Sequence, residues 1–228
     1  MKANTHNKPL IGGGIYTLPD VADILQIPYH KVSRCVKEYW DARLATDVEN
    51  QYSWTNGKSR AVSFYTLIEL FVYIQLTDAG VKTKDVLKAH LELSELYNTP
   101  YPFATQNLLI GIKSYGNKIY FERSKGEVID LDGTRQFNLS FLLDFVKNIE
   151  FDNDNLATKL WPIGKNHSIV VDPEHQFGQP VIDGTNIRPS TIYQLHQGGE
   201  PNKFIAMLYD LSETQVKHSI EFCTKKAA

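Results

Sequence analysis

Near the start of the chain, apolar residues recur at the spacing of one face of an α-helix. They are Leu18, Val21, Ala22 and Leu25. Thr17 stands before them as an N-cap and Asp20 follows three residues later, so we predict a short helix that ends near Gln26. The pattern stops at Ile27-Pro28, because proline lacks the N–H that a continuing helix needs.

A second helix is predicted over residues 29–41, and its two sides differ in character. One side is apolar and carries Val32, Val36, Tyr39 and Trp40. The other side is basic and polar and carries His30, Lys31, Ser33, Arg34 and Lys37. A short helix, a break and a helix with a basic outer face form a helix-turn-helix pattern, with residues 29–40 as the recognition helix that enters the major groove of DNA. Two ordinary surface helices would give the same pattern.

The segment after these helices predicts a β-hairpin. Two strand-like runs, residues 51–54 and 60–64, flank Asn56-Gly57, a residue pair favoured in tight hairpin turns. The tip and the second strand carry Lys58 and Arg60 and no acidic residue. A basic hairpin beside a recognition helix is typical of the wing of a winged helix-turn-helix domain, which contacts phosphates. A solvated surface hairpin is the alternative.

The predicted DNA-binding surface combines the first two helices with this hairpin. Its residues are Thr17, Tyr29, His30, Lys31, Ser33, Arg34, Lys37, Asn56, Lys58, Ser59 and Arg60. A long helix capped by Ser63 and a second one capped by Thr83 follow, the second with His90 as a packed core residue. Asn98-Thr99-Pro100 closes a predicted domain over residues 15–100, and the polar, Gly-rich residues 1–14 are expected to be a disordered lead-in.

The order of these elements resembles the DNA-binding half of MerR-type regulators. The resemblance is most specific at Ala79-Gly80-Val81, which leads into the helix capped by Thr83. This chain departs from the family at Ser33, where an arginine is usual, and in its compact wing. The resemblance implies a winged helix-turn-helix that reads double-stranded DNA. One such module reads only a few base pairs, so we expect a homodimer, with helix 65–79 and the β segment as candidate surfaces.

The middle of the chain, residues 103–165, is predicted to be a small β-rich domain. Strands at 109–113 and 118–122 flank a turn, and shorter strands follow at 127–131 and 135–138. Asn138 is predicted to cap a helix over 139–148. Several aromatic residues either line a pocket for a small ligand or form the core of this segment. They are Tyr115, Tyr120, Phe121, Phe137 and Trp161.

Residues 166–224 form a third predicted unit with two short strands, at 169–171 and 181–182. Three helices follow, predicted at 190–197, 201–208 and 212–223, the last one with Ser212 and Gln215 in a capping box. Together they allow a small helix-turn-helix-like bundle. The whole chain is therefore predicted to be of the α+β class.

This C-terminal unit resembles the small domain, formerly of unknown function, of a class of VapB-type antitoxins. The resemblance rests on Asp172-Pro173, Phe177-Gly178-Gln179-Pro180-Val181-Ile182, Gly184-Thr185-Asn186-Ile187, Ser190-Thr191-Ile192, Gly198-Gly199-Glu200 and Tyr209-Asp210-Leu211-Ser212. Asn186 stands where the family usually has arginine. The resemblance implies an antitoxin that binds its own operator and caps a small PIN-type nuclease toxin. The residues assigned to toxin binding are Phe177, Pro180, Thr185 and Arg188.

Composition constrains the functions proposed above and suggests no further one. The net charge is −2, so DNA binding would depend on a local basic patch rather than on bulk charge. Two cysteines far apart, no signal-peptide pattern and no long apolar run favour a cytoplasmic protein with no membrane segment. We find no catalytic constellation, metal site or cofactor motif, and Asp172 and His175 are expected to fix a turn rather than to act as an acid–base couple.

Three hypotheses follow. The first, which the two resemblances favour, is a DNA-binding antitoxin that represses its own operon. The second is a MerR-like one-component regulator whose middle segment binds a small ligand. The third is a protein-interaction adaptor that does not bind DNA.

Overall fold

The computed structural model describes residues 13–45, 52–56, 59–115, 118–122, 128–130 and 145–225. It has the predicted α+β class, with short antiparallel sheets and separate helices. The following lie outside the described residues: residues 1–12 of the predicted lead-in (1–14), the turn residues Gly57 and Lys58, and the parts of the predicted elements that fall within 131–144.

The N-terminal elements follow in the predicted order. Strand β1 (Tyr16–Thr17) leads into α1 (Leu18–Leu25), and α2 (Tyr29–Arg34) comes after the turn at Gln26. Strands β2 (Ser53–Asn56) and β3 (Ser59–Val62) form the predicted hairpin, with Asn56 opposite Ser59. Strand β1, absent from the prediction, adds to the outer side of β3 to give the order β1-β3-β2.

The second helix is longer than predicted and changes its geometry. It continues beyond Arg34 as a π-helical segment, Cys35–Leu44, which ends with the Ala45 N–H bonded to the carbonyl of Trp40, five residues back. The wider π turn keeps positions four apart on one side of the helix, and Val36, Trp40 and Leu44 are all buried. Burial of this row, rather than the local pattern, sets the end of the helix.

Two long helices form the centre of the molecule, α3 (Phe64–Asp78) and α4 (Thr83–Tyr97). Ser63 caps α3 as predicted, but the N-cap of α4 is Lys82, and the hydroxyl of Thr83 instead lies 3.0 Å from that of Tyr73. Most of α3 is buried within the chain. This burial contradicts its assignment as a dimer surface, because its apolar residues already pack against other elements of the same chain.

The middle segment begins with helix rather than strand. A 3₁₀ turn (Pro102–Ala104) leads into α5 (Gln106–Gly111), which occupies the first part of the strand predicted from residue 109. Long-range packing explains this helix, because Leu108 and Leu109 are both buried in the larger of the hydrophobic cores. Strands β4 (Ile112–Tyr115), β5 (Lys118–Glu122) and β6 (Val128–Asp130) then form one antiparallel sheet. The hairpin β7 (Ile149–Phe151) and β8 (Ala157–Leu160) is absent from the prediction.

The C-terminal elements agree with the predicted unit. Strands β9 (Ile169–Val170) and β10 (Val181–Ile182) pair antiparallel around a loop with a 3₁₀ turn (Gln176–Gly178). Three helices follow, α6 (Pro189–Gln197), α7 (Asn202–Tyr209) and α8 (Glu213–Lys225). The Ser212–Gln215 capping box is confirmed. The N-cap of α6 is Arg188 rather than Ser190, because Pro189 occupies the first helical position.

Among the described residues, two large buried cores and one small cluster account for the packing. The larger core extends from Tyr16 to Val171 and includes side chains of 103–109 and 145–160 as well as those of α1 to α4. The smaller core joins β9 and β10 to α6, α7 and α8. Gln26, the C-cap of α1, links the N-terminal elements to α8, because its side-chain amide donates to the carbonyl of Phe222 at 3.3 Å.

Gly178 marks a second contact between the C-terminal unit and the N-terminal elements. Its φ is +83°, and a Cβ at this position would overlap the buried hydroxyl of Tyr16 in strand β1. Burial raises the pKa of Tyr16 well above its usual range, and the neighbouring Asp172 raises it further. The loop before β10 therefore rests directly on the N-terminal sheet.

Replacing Gly178 with alanine is expected to lower the free energy of unfolding by about 2–4 kcal/mol, from left-handed backbone strain plus steric overlap with Tyr16. Gly184→Ala is the matched control, because Gly184 has φ +76° but no atom within 4 Å of a Cβ. It should cost only the backbone strain, about 1 kcal/mol. Equal losses in urea unfolding would contradict the proposed steric contact.

Candidate nucleic-acid interface

The first two helices are held at a fixed turn. Thr17 and Asp20 form a reciprocal capping box at the start of α1, with the Thr17 N–H 2.8 Å from the Asp20 carboxylate. Gln26 ends α1 in the left-handed conformation, and Pro28 then precedes α2. The Thr17 hydroxyl, predicted as a DNA contact, donates to Asp20 at 2.6 Å. Its role in the structure is to fix the start of α1.

Helix α2 presents its polar side to solvent as predicted. Val32 and Val36 are buried, whereas His30, Arg34 and Lys37 are exposed and Ser33 is half-buried. Tyr29, the first residue of the helix, is 53% exposed despite its large apolar ring. The exposed side chains therefore lie along the side of the helix that the sequence assigned to DNA.

A groove of about 270 Å³ runs between this helix and the hairpin. Tyr29 and Lys37 line it from the helix, and Thr55, Ser59 and Arg60 line it from the hairpin. Leu18 and Pro19 of α1 complete the wall. The structure thus brings four of the predicted contact residues, Tyr29, Lys37, Ser59 and Arg60, to one concave surface. The side chain of Asn56 lies outside the described residues.

Two of the predicted cations have partners within the chain. Lys31 lies 3.3 Å from the carboxylate of Asp78, and Arg60 pairs with Asp41 while also donating to the Ser53 hydroxyl at 2.8 Å. Part of their charge is therefore neutralised inside the protein. Of the predicted contact residues that the structure describes, Arg34 and Lys37 are the Lys and Arg side chains that remain exposed.

Asp41 is a residue that the sequence did not single out. Its side chain is only 6% exposed and accepts from the backbone and hydroxyl of Ser53 as well as from Arg60. Burial raises the pKa of Asp41, and the hydrogen bonds from Ser53 and the charge of Arg60 oppose that increase. This network joins the π-helical segment to both hairpin strands, and so sets the position of the hairpin relative to the helix. No local motif signals it, because the partners lie 12 and 19 residues away.

The four residues assigned to partner binding do not converge on one cavity. Phe177 is 84% exposed and has a left-handed backbone (φ 56°). Pro180 and Arg188 line a small groove against Asp20 and Asp23 of α1. Thr185 has a structural role, since its hydroxyl donates to the carbonyl of Ile182 and accepts from the N–H of Ile187.

Asp172 and His175 do meet, at the edge of a cleft of about 330 Å³. The His175 Nδ1 lies 3.0 Å from the Asp172 carboxylate, which also accepts from the N–H of Glu174 and lies 3.7 Å from Lys159. Asp172 is buried and its oxygens bind the turn that follows it. This geometry agrees with the predicted structural role.

The predicted small-ligand pocket in the middle segment is covered only in part by the described residues. Of the aromatic residues proposed for a ligand pocket, Trp161 is buried with Val170 and Val181 in a small cluster. The side chains of the others lie outside the described residues. Within the described ranges, no group of three or more His, Cys, Asp or Glu side chains could hold a metal ion. The helices of those same ranges include none with the length and apolar character to span a bilayer.

Residues 169–223 match the family model described as "Protein of unknown function (DUF433)". The matched stretch comprises β9 to the last helix, so the similarity concerns the C-terminal unit. In solved structures, the fold of the chain resembles that of Rv2018 from Mycobacterium tuberculosis, with a TM-score of 0.67 and 18% identity. That match covers 90% of this chain and 96% of Rv2018, and it shows a shared fold.

Two curated proteins of Mycobacterium tuberculosis are similar over shorter stretches. "Uncharacterized protein Rv2308" is 40% identical over 58 residues, which are 25% of this chain and 24% of that protein. "Putative antitoxin VapB45" is 27% identical over 78 residues, which are 34% of this chain and 33% of that protein. The chain thus spans between a quarter and a third of the length of these relatives.

Proposed function

We propose that this chain is a DNA-binding antitoxin that represses its own operon and neutralises a PIN-type ribonuclease toxin by direct binding. The observation that carries the DNA-binding part is the groove between α2 and the hairpin, lined by Tyr29, Lys37, Ser59 and Arg60. Similarity to a protein named as an antitoxin supports the toxin-binding part. Both proposed partners, DNA and a ribonuclease, place the function in the cytoplasm.

In this proposal, residues 15–100 are a winged helix-turn-helix module of MerR-like layout. Helix α2 lies in the major groove, which is wide enough to admit an α-helix, and its first residues face base edges. Arg34 and Lys37 neutralise phosphates, while the hairpin contacts the adjacent backbone through Ser59 and Lys58. Arg60 mainly supports this surface, because it is paired with Asp41.

A homodimer is part of the proposal, since a single module reads few base pairs. Two recognition helices about 34 Å apart would meet successive major grooves on one side of the duplex. The dimer raises affinity without adding basic residues to a protein whose net charge is −2.

The C-terminal unit is the proposed toxin-binding part. It exposes several large apolar side chains that its own core does not cover, a feature typical of protein interaction surfaces. They are Phe177, Phe204, Met207 and Leu208, with Met207 74% exposed. Phe177 is also held in a strained conformation by the loop that packs on Tyr16.

Co-expression tests this function. A tagged product of the neighbouring gene is expected to capture the full-length chain at a fixed ratio, and the chain should relieve the growth arrest that the toxin causes. Changing Phe177 and Met207 to serine should weaken capture at least tenfold while leaving the melting temperature nearly unchanged, because both side chains are exposed. Lack of both capture and growth relief in the unchanged protein would contradict the antitoxin function.

A further inference from the structure

Two histidines meet where the last helix packs against the C-terminal sheet. His167 lies just before β9 and His218 lies in α8, and their ring centroids are 4.8 Å apart. Ser168, between His167 and the strand, contacts the His218 ring through both its backbone and its side chain. Glu221, one turn after His218, faces His167.

The backbone contact assigns the protonation of His218. The Ser168 N–H donates to His218 Nδ1 at 3.1 Å, so this nitrogen must be an acceptor and carry no proton. His218 is then the neutral tautomer with its proton on Nε2. The Ser168 hydroxyl, 3.2 Å from the same nitrogen, can donate to it as well.

His167 has the opposite surroundings. Its Nδ1 lies 3.0 Å from the side-chain amide oxygen of Asn166 and its Nε2 lies 3.5 Å from the Glu221 carboxylate. Both partners of His167 are acceptors, whereas His218 Nδ1 faces a backbone donor. Of the two rings, His218 is therefore the one whose Nδ1 has no acceptor for a proton.

Protonation of His218 Nδ1 would act against the packing in two ways. It would place an N–H on His218 Nδ1, directly opposite the Ser168 N–H, and so remove that hydrogen bond. It would also place a positive charge on a ring whose centroid lies 4.8 Å from that of His167. The charged groups acting on His218 are His167, from the loop before β9, and Glu221, from its own helix.

We propose that His167, Ser168, His218 and Glu221 form a pH-sensitive latch, the histidine latch, which holds α8 against β9 at neutral pH and releases it in mild acid. Helix α8 contributes Val216, Phe222 and Cys223 to the smaller core. It also accepts the hydrogen bond from Gln26 of α1. Release of the latch therefore loosens both the C-terminal core and its contact with α1, independently of the proposed DNA and toxin binding.

The direction of the pH effect follows from the surroundings of His218. Burial lowers its pKa below the usual 6.5, the charge of His167 lowers it further, and Glu221 partly opposes both. Below pH 6.5 the unfolded chain binds this proton more readily than the folded one. The stabilisation is thus complete above pH 6.5 and declines as the pH falls from 6.5 to the lowered pKa of the folded state.

Hydrogen–deuterium exchange of the full-length chain tests the latch at about pH 7.5 and about pH 5.5, with rates corrected for intrinsic exchange. Residues 213–225 are expected to exchange several-fold faster at the lower pH. His218→Asn should remove this acceleration, because its amide oxygen can accept from Ser168 but does not titrate. His196→Asn, in α6, is the matched control and should retain the acceleration.

Equal protection of residues 213–225 at the two pH values in the unchanged protein would overturn the proposal. A second measurement applies even if His218→Asn does not fold. Side-chain ¹⁵N spectra at neutral pH should show His218 protonated on Nε2 and not on Nδ1. The reverse tautomer would also overturn the latch, since it could not accept from Ser168.

Discussion

Replacing Arg34 and Lys37 together with alanine is expected to weaken binding to the chain's own promoter about 100-fold, because it removes two exposed cations, one in the last turn of α2 and one in the π-helical segment that continues it. The fold should be unaffected, since both side chains point to solvent. If each contacts one phosphate, the slope of log affinity against log salt concentration should become less steep by about 1.8. A change in slope distinguishes lost phosphate contacts from a general loss of active protein.

The measurement is a mobility shift at two or more salt concentrations. Lys84→Ala with Lys88→Ala is the matched control, because both residues are exposed on α4 and the charge change is the same. The control should retain the affinity and slope of the unchanged protein. Equal loss in both double variants would indicate bulk electrostatics, and undiminished binding of the α2 variant would refute its assignment as the recognition helix.

Replacing Glu69 with alanine is expected to lower the free energy of unfolding by about 3–5 kcal/mol. Glu69 and His90 are both almost fully buried, with the Glu69 carboxylate 2.8 Å from His90 Nε2. The other carboxylate oxygen accepts from the N–H groups of Phe103 and Ala104, at 2.8 and 3.3 Å. Alanine would leave all three groups buried without this partner, and it would release the 3₁₀ turn at 102–104 from α3.

Urea unfolding checks this result. Glu92→Ala, which removes a carboxylate from the half-exposed pair with Lys88 on α4, should change stability by less than about 0.5 kcal/mol. Glu69→Gln retains an acceptor for the turn and should cost less than alanine. If Glu69→Ala cost no more than Glu92→Ala, the carboxylate would not be what fastens the turn to α3.

Local signals in the sequence were sufficient for several interactions between groups that are close along the chain, although they misplaced the caps at Thr83 and Ser190 by one and two residues. Thr17 with Asp20, Ser63 with Thr66 and Ser212 with Gln215 are caps whose partners lie three residues apart, so a short window contains the whole interaction. The hairpin of β2 and β3 follows the same rule, because its two strands pair within a few residues of each other along the chain. The buried and exposed sides of α2 also follow from helical periodicity.

Prediction failed where long-range packing competes with local preference. The apolar pattern of residues 109–111 fits either a strand or a helix. Burial of Leu109 in the larger core favours the helical conformation. The strands β7 and β8 are short and polar in part, and they depend on each other and on burial of Ile149, Ala157 and Leu160 in the larger core. The sequence left α3 as one of two candidate dimer surfaces, because an apolar helix side does not reveal whether its partner belongs to the same chain, and the structure buries most of α3 within the chain.

The same distinction between local signals and long-range packing applies to the candidate nucleic-acid interface. By itself, the sequence determined the α+β class, the order of the helices and hairpin, and which side of α2 is polar, because periodicity and turn chemistry are encoded locally. Only the tertiary structure decided that Arg60 is held by Asp41, that Lys31 is paired with Asp78, and that His218 meets Ser168, 50 residues away. These pairings depend on which distant segments pack together, and they determine which charges remain free to meet a partner.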